Sequence, residues 1–529
     1  MPTPQDSTNT AKHSPLHAWM QTNANGLVLF VTVITAFFLN LGGFPLFDMD
    51  EGAYAETTRE MFERGDFIST YMNGVAFYDK PALTYWLQAM SAAIFGYTEL
   101  AFRLPSALAA TAWTLLIFAF VRREYDEHTA VTAAAVASLA TLTSMMGKAA
   151  IPDALLILFI SGAMFSIYRY YQVQNKRYVY FAFISMAFGF MAKGPIAVAI
   201  PAIVSLMFFA MKGQWWLWLR AVFNPVGIAL FLLIASPWYI AQYLKEGQAF
   251  LEGFFLKHNV GRFQNPMEGH SGSIFYYLPV ALIGSVPFTA AILLAVKRSK
   301  QLIHDDFLLF NALWFLFVLV FFSLAGTKLP HYINYGFTGL LLIAALHLQQ
   351  LRSRFWALLP ATLFLTTLLF LPDILAAIAP TVKEPFFHES MKNVSEHFSA
   401  VYRGFFVLAI ACTVFFIFEK RLQLRSKLIA SGFLTVIAMS LFVLPAIGDI
   451  VQEPAKQAAA FVKQHDYQVV MWRVTLPSFS VYSDRVVPKR EPEIGEIALT
   501  TPAHLARLKD YEVLYQQGGV VLARVLAFK

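Results

Sequence analysis

The chain is poor in cysteine, with Cys412 alone among 529 residues. One thiol makes no internal disulfide and supplies no Cys-based metal site, so the redox compartment stays open. Charge is scarce as well. Asp, Glu, Lys and Arg make up 14% of the residues, against about 25% in an ordinary soluble domain. There is no internal repeat and no low-complexity segment. No cleavable signal peptide is evident in residues 1–25, which are polar and hold Lys12 as their one lysine, and the apolar stretch from Gly26 to Leu41 reads as a retained first span. What the chain has in excess is apolar surface: 57% hydrophobic residues, 51 Phe and a mean hydropathy of +0.55. A soluble core of this size cannot hide that much. The expectation is an α-helical polytopic membrane protein.

A bilayer core about 30 Å thick takes about 20 apolar residues per helix. With that ruler, spans fall near 26–43, 100–121, 129–147, 153–171, 178–193, 195–211 and 221–242, then 274–296, 307–326, 333–349, 355–376, 403–419 and 428–447, about thirteen in all. Pro237 and Pro287 mark expected kinks. Lys and Arg set the orientation. With residues 1–25 as a cytoplasmic tail, six short inner loops hold 16 of the 40 basic residues, which is the positive-inside pattern. Topology therefore accounts for the net charge of +7, and no nucleic-acid surface is required. The transmembrane domain is expected over 26–447, with outer loops at 44–99, 243–273 and 377–402. Residues 448–529 change character. A helical pattern (Glu453 to Gln464) is followed by β-type runs at Tyr467–Val474 and Ser480–Val487, a helix candidate from Pro502 to Leu508, and strands at Glu512–Tyr515 and Val520–Phe528. This reads as a small α/β domain on the outer face.

The first outer loop is the richest in chemistry. Asp48, Asp50 and Glu51 follow the first span, then Glu56 and Asp79-Lys80-Pro81. Asp153, Lys193 before Gly194-Pro195, His258-Asn259 with Arg262, and Lys328 to Tyr332 lie at other outer ends. Each alone has an ordinary structural reading: a helix cap, a turn, a snorkelling lysine, a surface histidine. Together, the topology puts Asp50, Asp79, Lys80, Asp153, Lys193, His258, Arg262, Lys328 and Tyr332 on one face. Cations at one depth hold a phosphate and improve it as a leaving group, while a carboxylate acts as base or orients the nucleophile. That combination suits a reaction on an anionic lipid. A transporter would place ionisable groups inside the spans near the midplane and show two comparable halves.

The motifs Asp50-Glu51-Gly52-Ala53-Tyr54-Ala55-Glu56, Tyr78-Asp79-Lys80-Pro81, Ile151-Pro152-Asp153, Lys193-Gly194-Pro195, His258-Asn259 with Arg262-Phe263, and Lys328-Leu329-Pro330-His331-Tyr332 occur in that order over roughly two thirds of the chain. In this the sequence resembles the membrane glycosyltransferases of the protein O-mannosyltransferase superfamily (the GT-C fold), and most of all the bacterial lipid A aminoarabinose transferase branch. The resemblance implies transfer of a sugar, with inversion, from a polyprenyl-phosphate carrier on the periplasmic face of the bacterial inner membrane. It implies Asp50 as catalytic base, Asp153 as a second essential acid and Lys80 as the phosphate-binding lysine. Tyr54 and Tyr332 become carrier-phosphate or sugar contacts. Asp79 and His258 become the pair able to hold a divalent metal (Zn, Mg or Mn), although Lys80 and Arg262 alone could stabilise the leaving group. Lys193 and Lys328 join the substrate-binding cations. Two positions depart from the branch: Ala53 stands where an arginine is usual, and Ala82 where a second proline is usual. Loss of that arginine removes a bidentate phosphate donor, which bears on sugar and acceptor more than on reaction type. Lipid A is the first acceptor to consider, a protein side chain or surface glycan the next. A lipid or sugar transporter without transferase activity, and a structural subunit of a glycan-assembly complex, are the competing classes.

Overall fold

The computed structural model of the protein describes residues 15–261 and 272–529, with side chains from residue 24 onward apart from 259 and 260. Helices follow the apolar runs. Among the described residues, six are single helices long and apolar enough to cross a membrane: Glu99–Glu124, Asp153–Val173, Pro225–Glu246, Asp306–Leu324, Ala400–Phe418 and Leu424–Val451. A seventh crossing results if Arg354–Leu369 and the segment Leu371–Thr381, bent by 55° to it, count as one span. Every other expected span is helical too, but shorter or broken. The stretch 274–296 divides into Tyr277–Gly284 and Thr289–Lys297 around Pro287, which has no N–H to give and cannot continue the helix. The stretch 129–147 divides into Glu127–Leu139 and Thr141–Met146 at the extended residue Ala140. These two breaks satisfy one another: the Thr141 N–H and hydroxyl both donate to the Val286 carbonyl, at 3.1 and 3.0 Å. That is how irregular backbone survives inside a bundle. Pro237, by contrast, sits within an unbroken helix.

The centre of the bundle is built from helices with little charge. Asn334–Leu348 is buried along almost its whole length, and Glu127–Leu139 buries every residue from Ala130 onward. Alanine-rich faces on the latter allow close backbone approach, the usual means of packing helices where lipid removes the hydrophobic drive. At one end of the bundle the loop 44–99 forms two helices, Asp50–Arg64 and Leu83–Phe95, joined by a small antiparallel hairpin of β1 (Tyr71–Met72) and β2 (Val75–Ala76). Its turn residues Asn73 and Gly74 both have positive φ (54° and 80°), as a primed turn demands.

The last 77 or so residues fold as helix Glu453–His465, β3 (Val469–Met471), helix Pro477–Ser483, β4 (Ile497–Thr500), a short turn of helix at Pro502–Leu505, β5 (Leu508–Gln517) and β6 (Val520–Phe528). The sheet runs β3-β4-β6-β5, parallel between β3 and β4 and antiparallel elsewhere. Helix Glu453–His465 buries Ala455, Ala458, Ala459 and Val462 against it. The run Ser480–Val487, expected as a β-type run, is helical up to Ser483. Pro477 opens that helix, and it is buried on both sides, with Phe479 in the sheet's core and Val481 against Leu46 and Ala55. Packing overrides the β propensity of the valines and Tyr482 here. Strand β4 escapes sequence analysis for a related reason: all four residues are buried, so no period of two marks it.

Candidate active site

Four acids follow the first span closely, and the structure gives them different tasks. Glu51 is buried and receives a two-pronged ion pair from Arg103, Nε to Oε1 at 2.8 Å and Nη2 to Oε2 at 2.6 Å. The same guanidinium donates to the carbonyls of Leu41, Phe44 and Pro45. Glu51 also accepts the Phe47 and Ala150 N–H groups. Asp48 accepts the Ser478 N–H at 3.0 Å and the Ser478 hydroxyl. Burial pushes its carboxyl up to about 7, with the two Ser478 bonds pulling the other way. Glu56 is closed off by Arg59 at 2.8 Å. Asp50, at the start of helix Asp50–Arg64, is exposed. Among the described residues it alone of the four has no hydrogen bond or ion pair. Its chain neighbours Asp48 and Glu51 are pinned, while its own carboxylate is open.

Asp153 opens helix Asp153–Val173 and is 1% exposed. Its Oδ2 accepts the Lys193 ammonium at 2.7 Å, and its Oδ1 accepts the Tyr335 hydroxyl at 2.8 Å. Lys193 also donates to the Tyr335 oxygen at 2.6 Å, which closes a three-membered ring of charge-assisted bonds. His331 Nε2 stands 4.0 Å from Asp153 Oδ1. Burial holds His331 below the usual imidazole range, aided by the Lys193 and Lys80 charges and opposed by Asp153 and Asp50. One ring thus senses four of the residues singled out in the sequence. Tyr54 reports the same convergence. Its hydroxyl is held well above the ordinary phenol range by burial and by the negative charges of Asp79, Asp50 and Asp153.

Asp79 and Lys80 are both buried, with Lys80 Nζ 2.8 Å from Asp79 Oδ1. His258 Nδ1 lies 2.9 Å from the same oxygen. The expected metal pair is therefore adjacent. Among the described residues, however, no cluster of three or more His, Cys, Asp or Glu is placed to hold a metal ion. The ammonium also occupies the shared carboxylate oxygen. Among the described residues, two protein donors beside a cation are a poor fit to a resident metal, which takes three or four protein ligands in zinc sites.

Lys80, Lys193 and His258 line a cavity of about 460 Å³ whose other walls include Ile196, Phe255, Phe321, Phe322, Tyr332 and Tyr335. Its lining combines two lysines and a histidine with aromatic and aliphatic side chains. The Lys193 ammonium stands 5.4 Å from the Tyr332 ring and 5.2 Å from the Tyr335 ring, which keeps a partly dehydrated cation in place. Lys328 is buried nearby and donates to the Ser323 and Ala325 carbonyls, at 3.0 and 2.6 Å, closing the end of helix Asp306–Leu324. Arg262 lies outside the described residues. Tyr335 and His331 have no role assigned by motif alone. Their spacing was a usable signal, since His331 and Tyr335 are four apart and Tyr332 and Tyr335 three apart, one helical face. Arg103 gave no such signal: an arginine near the end of a span looks like a snorkelling residue, yet here it is fully buried.

The sequence profile of the dolichyl-phosphate-mannose-protein mannosyltransferase family matches residues 79–240, the stretch carrying Asp79, Lys80, Asp153 and Lys193. An uncharacterized protein of Aquifex aeolicus is 31% identical over 329 residues, 61% of this chain and 73% of that protein. The undecaprenyl phosphate-alpha-4-amino-4-deoxy-L-arabinose arabinosyl transferase of Aeromonas hydrophila is 31% identical over 308 residues, 57% of this chain and 56% of that enzyme. The chain thus spans a little over half the length of such transferases in alignment. Over its full extent the fold is similar to that of ArnT from Cupriavidus metallidurans bound to undecaprenyl phosphate, with a TM-score of 0.76 at 21% identity, covering 97% of this chain and 99% of that one. A multi-pass bundle, a matching profile across the charged helix ends and a relative aligned over most of its length lead to one assignment: the chain belongs to the protein O-mannosyltransferase superfamily of GT-C membrane glycosyltransferases.

Proposed function

We propose that the protein is an inverting glycosyltransferase that moves a sugar from a polyprenyl-phosphate carrier to lipid A on the periplasmic side of the bacterial inner membrane. The observation that carries this reading is the cavity, whose lining combines two lysines with Phe255, Phe321, Phe322 and Ile196. That mixture of cations and apolar side chains suits a lipid phosphate. The isoprenoid tail lies against the phenylalanines and the phosphate meets Lys80 and Lys193. Lys193 spends two of its three N–H donors on Asp153 and Tyr335, which leaves one to aim at a ligand. Asp153, with both oxygens engaged, serves by fixing Lys193 and Tyr335. Asp50 is the group left over for the acceptor. It takes the proton of an acceptor hydroxyl, or orients an acceptor phosphate, while the acceptor oxygen attacks the sugar C1. The bond from C1 to the carrier phosphate breaks, and its electron pair leaves on phosphate held by the two ammonium groups. Tyr54 and Tyr332 border the sugar. The name of the Aeromonas hydrophila relative favours an aminoarabinose-type donor, which would add an amine and lower the negative charge of the lipid A surface. About thirteen spans, with residues 448–529 as a periplasmic α/β domain, complete the picture. No step is routed through a metal on Asp79 and His258.

The test is transfer by purified protein in lipid vesicles, with wild type and Asp50→Asn side by side. The variant should insert normally and lose transfer at least about 10²-fold, the low end for a general base. Near-normal transfer would remove Asp50 from the mechanism. Mass spectrometry of lipid A and of extracted glycans and proteins, with and without the gene, identifies the acceptor. A lost glycosyl increment on protein or glycan, with lipid A unchanged, would move the acceptor assignment. No lost increment anywhere, with lipid redistributed between leaflets, would favour a transporter.

A further inference from the structure

The short segment Leu46–Gly52, which carries Asp50, is gripped from two sides. On one side is the transmembrane helix, through the Arg103–Glu51 pair. On the other is the far end of the chain. Ser478, at the start of helix Pro477–Ser483, gives both its N–H and its hydroxyl to the Asp48 carboxylate, two residues before Asp50. Tyr482, one turn further on, accepts the Leu46 N–H at 2.7 Å and donates to Glu99 at 3.1 Å. The buried amide of Gln452 lies 3.3 Å from the Leu46 carbonyl and 3.1 Å from the Asp48 N–H. Asn73, in the hairpin turn, donates to Ser480 and to the Val487 carbonyl. The approach is close enough that a Cβ on Gly52 would sit 2.8 Å from the Ser478 nitrogen and 1.9 Å from an Asp48 oxygen. Side chains on both sides of Asp50 are therefore pinned, one to the bundle and one to the C-terminal α/β unit, while Asp50 itself is left open.

We infer that Ser478 is a positioning residue for sugar transfer: through Asp48 it fixes the backbone that aims the Asp50 carboxylate, so that the C-terminal α/β unit is part of the catalytic apparatus. This rests on the reading of Asp50 given under the proposed function. A carboxylate taking two hydrogen bonds from one residue is held in direction as well as in place, and a displacement of about 1 Å at a reacting group is enough to cost about 10²-fold. The Ser478 hydroxyl supplies half of that hold. Its loss does not touch the lysines of the cavity, so the donor lipid should bind as before.

The experiment compares wild type, Ser478→Ala, Ser478→Thr, Asp484→Asn and Asp50→Asn, each purified full-length in lipid vesicles and assayed with a polyprenyl-phosphate sugar and lipid A. Asp484 belongs to the same contact region but bears on Arg59 at 4.0 Å, not on Asp48. It controls for general loosening of the interface. Ser478→Ala should lower kcat about tenfold, the scale of one hydrogen bond to a charged group, with the KM for the donor lipid unchanged. Ser478→Thr, which keeps both donors, should restore kcat, and Asp484→Asn should leave it near wild type. An unchanged kcat in Ser478→Ala overturns the inference. So does a loss matched by Asp484→Asn, or one that Thr fails to rescue, since either points to simple destabilisation. Asp50→Asn separates the two claims: if it retains transfer the mechanism itself fails, whereas its inactivity beside a normal Ser478→Ala sinks only the positioning role.

Discussion

Replacing Lys193 with methionine keeps the length and apolar stem of the side chain but removes the ammonium that Asp153 and Tyr335 share. Asp153 is 1% exposed, so it then faces a dry surrounding with one hydrogen bond in place of two. Removing one partner of a buried ion pair costs about 3–5 kcal/mol. The Tyr335 hydroxyl stays on Oδ1 at 2.8 Å, which argues for the lower end, about 3 kcal/mol. The deficit should depend on pH, because His331 is 4.0 Å away. In the wild type, burial and the Lys193 and Lys80 charges hold His331 below its ordinary range. The unfolded chain therefore binds the extra proton more readily, and His331 withdraws stability as pH falls through about 6.5. Burial, the main cause, remains without Lys193, but one of the two opposing charges is gone, so an imidazolium forms more readily beside the stranded carboxylate as pH falls. The Lys193→Met deficit should thus be near its full size at pH 8 and shrink towards pH 5.5. Tryptophan-monitored thermal unfolding in detergent, run at both values for wild type, Lys193→Met and Lys193→Met with His331→Ala, reads this directly. A deficit identical at the two pH values, or narrowing that survives loss of His331, would refute the reasoning. So would a variant as stable as wild type at pH 8.

Other outcomes follow from the same geometry. Lys80→Ala should raise the KM for the carrier lipid about tenfold or more while the protein still inserts, since one of two phosphate cations is gone; kinetics unchanged with that lipid would remove Lys80 from the phosphate site. Arg103→Ala should cost about 3–5 kcal/mol by stranding Glu51, and Arg103→Lys should recover only part of it, because an ammonium cannot match the forked contacts to Glu51 and three carbonyls; unfolding midpoints test both. Dialysis against a chelator should leave transfer intact, as Asp79 and His258 are two donors already facing an ammonium. Activity lost on chelation and recovered with added zinc, magnesium or manganese would put a metal into the site.

The helices were legible because hydropathy over some twenty residues is a strong signal, and the charged motifs were legible because charge is rare here. Asp50, Asp79, Lys80, Asp153 and Lys193 stand out for having few reasons to exist at apolar helix ends. What stayed hidden depended on contacts across long separations. Arg103 and Glu51 are 52 residues apart and Asp48 and Ser478 are 430 apart, and no local pattern links either pair. The same holds for Ser480–Val487. Its content of Val and Tyr favours a strand, but Pro477 and burial on both faces of the first turn make it a helix up to Ser483. Breaks at Ala140 and around Pro287 also depend on each other, through Thr141 and Val286, so only one of the two carried a mark in the sequence.

The bond from Ser478 to Asp48 has a consequence for how such a protein comes into being. Synthesis delivers Asp50 near the start and Ser478 near the finish, with nearly the whole bundle threaded between them. A nascent chain halfway through insertion already owns the Asp50 carboxylate, yet lacks the Ser478 contact that holds Asp48 beside it. The hold on Asp48 would then form only once Ser478 has been made, so a fragment ending before it should transfer more slowly than the longer chain.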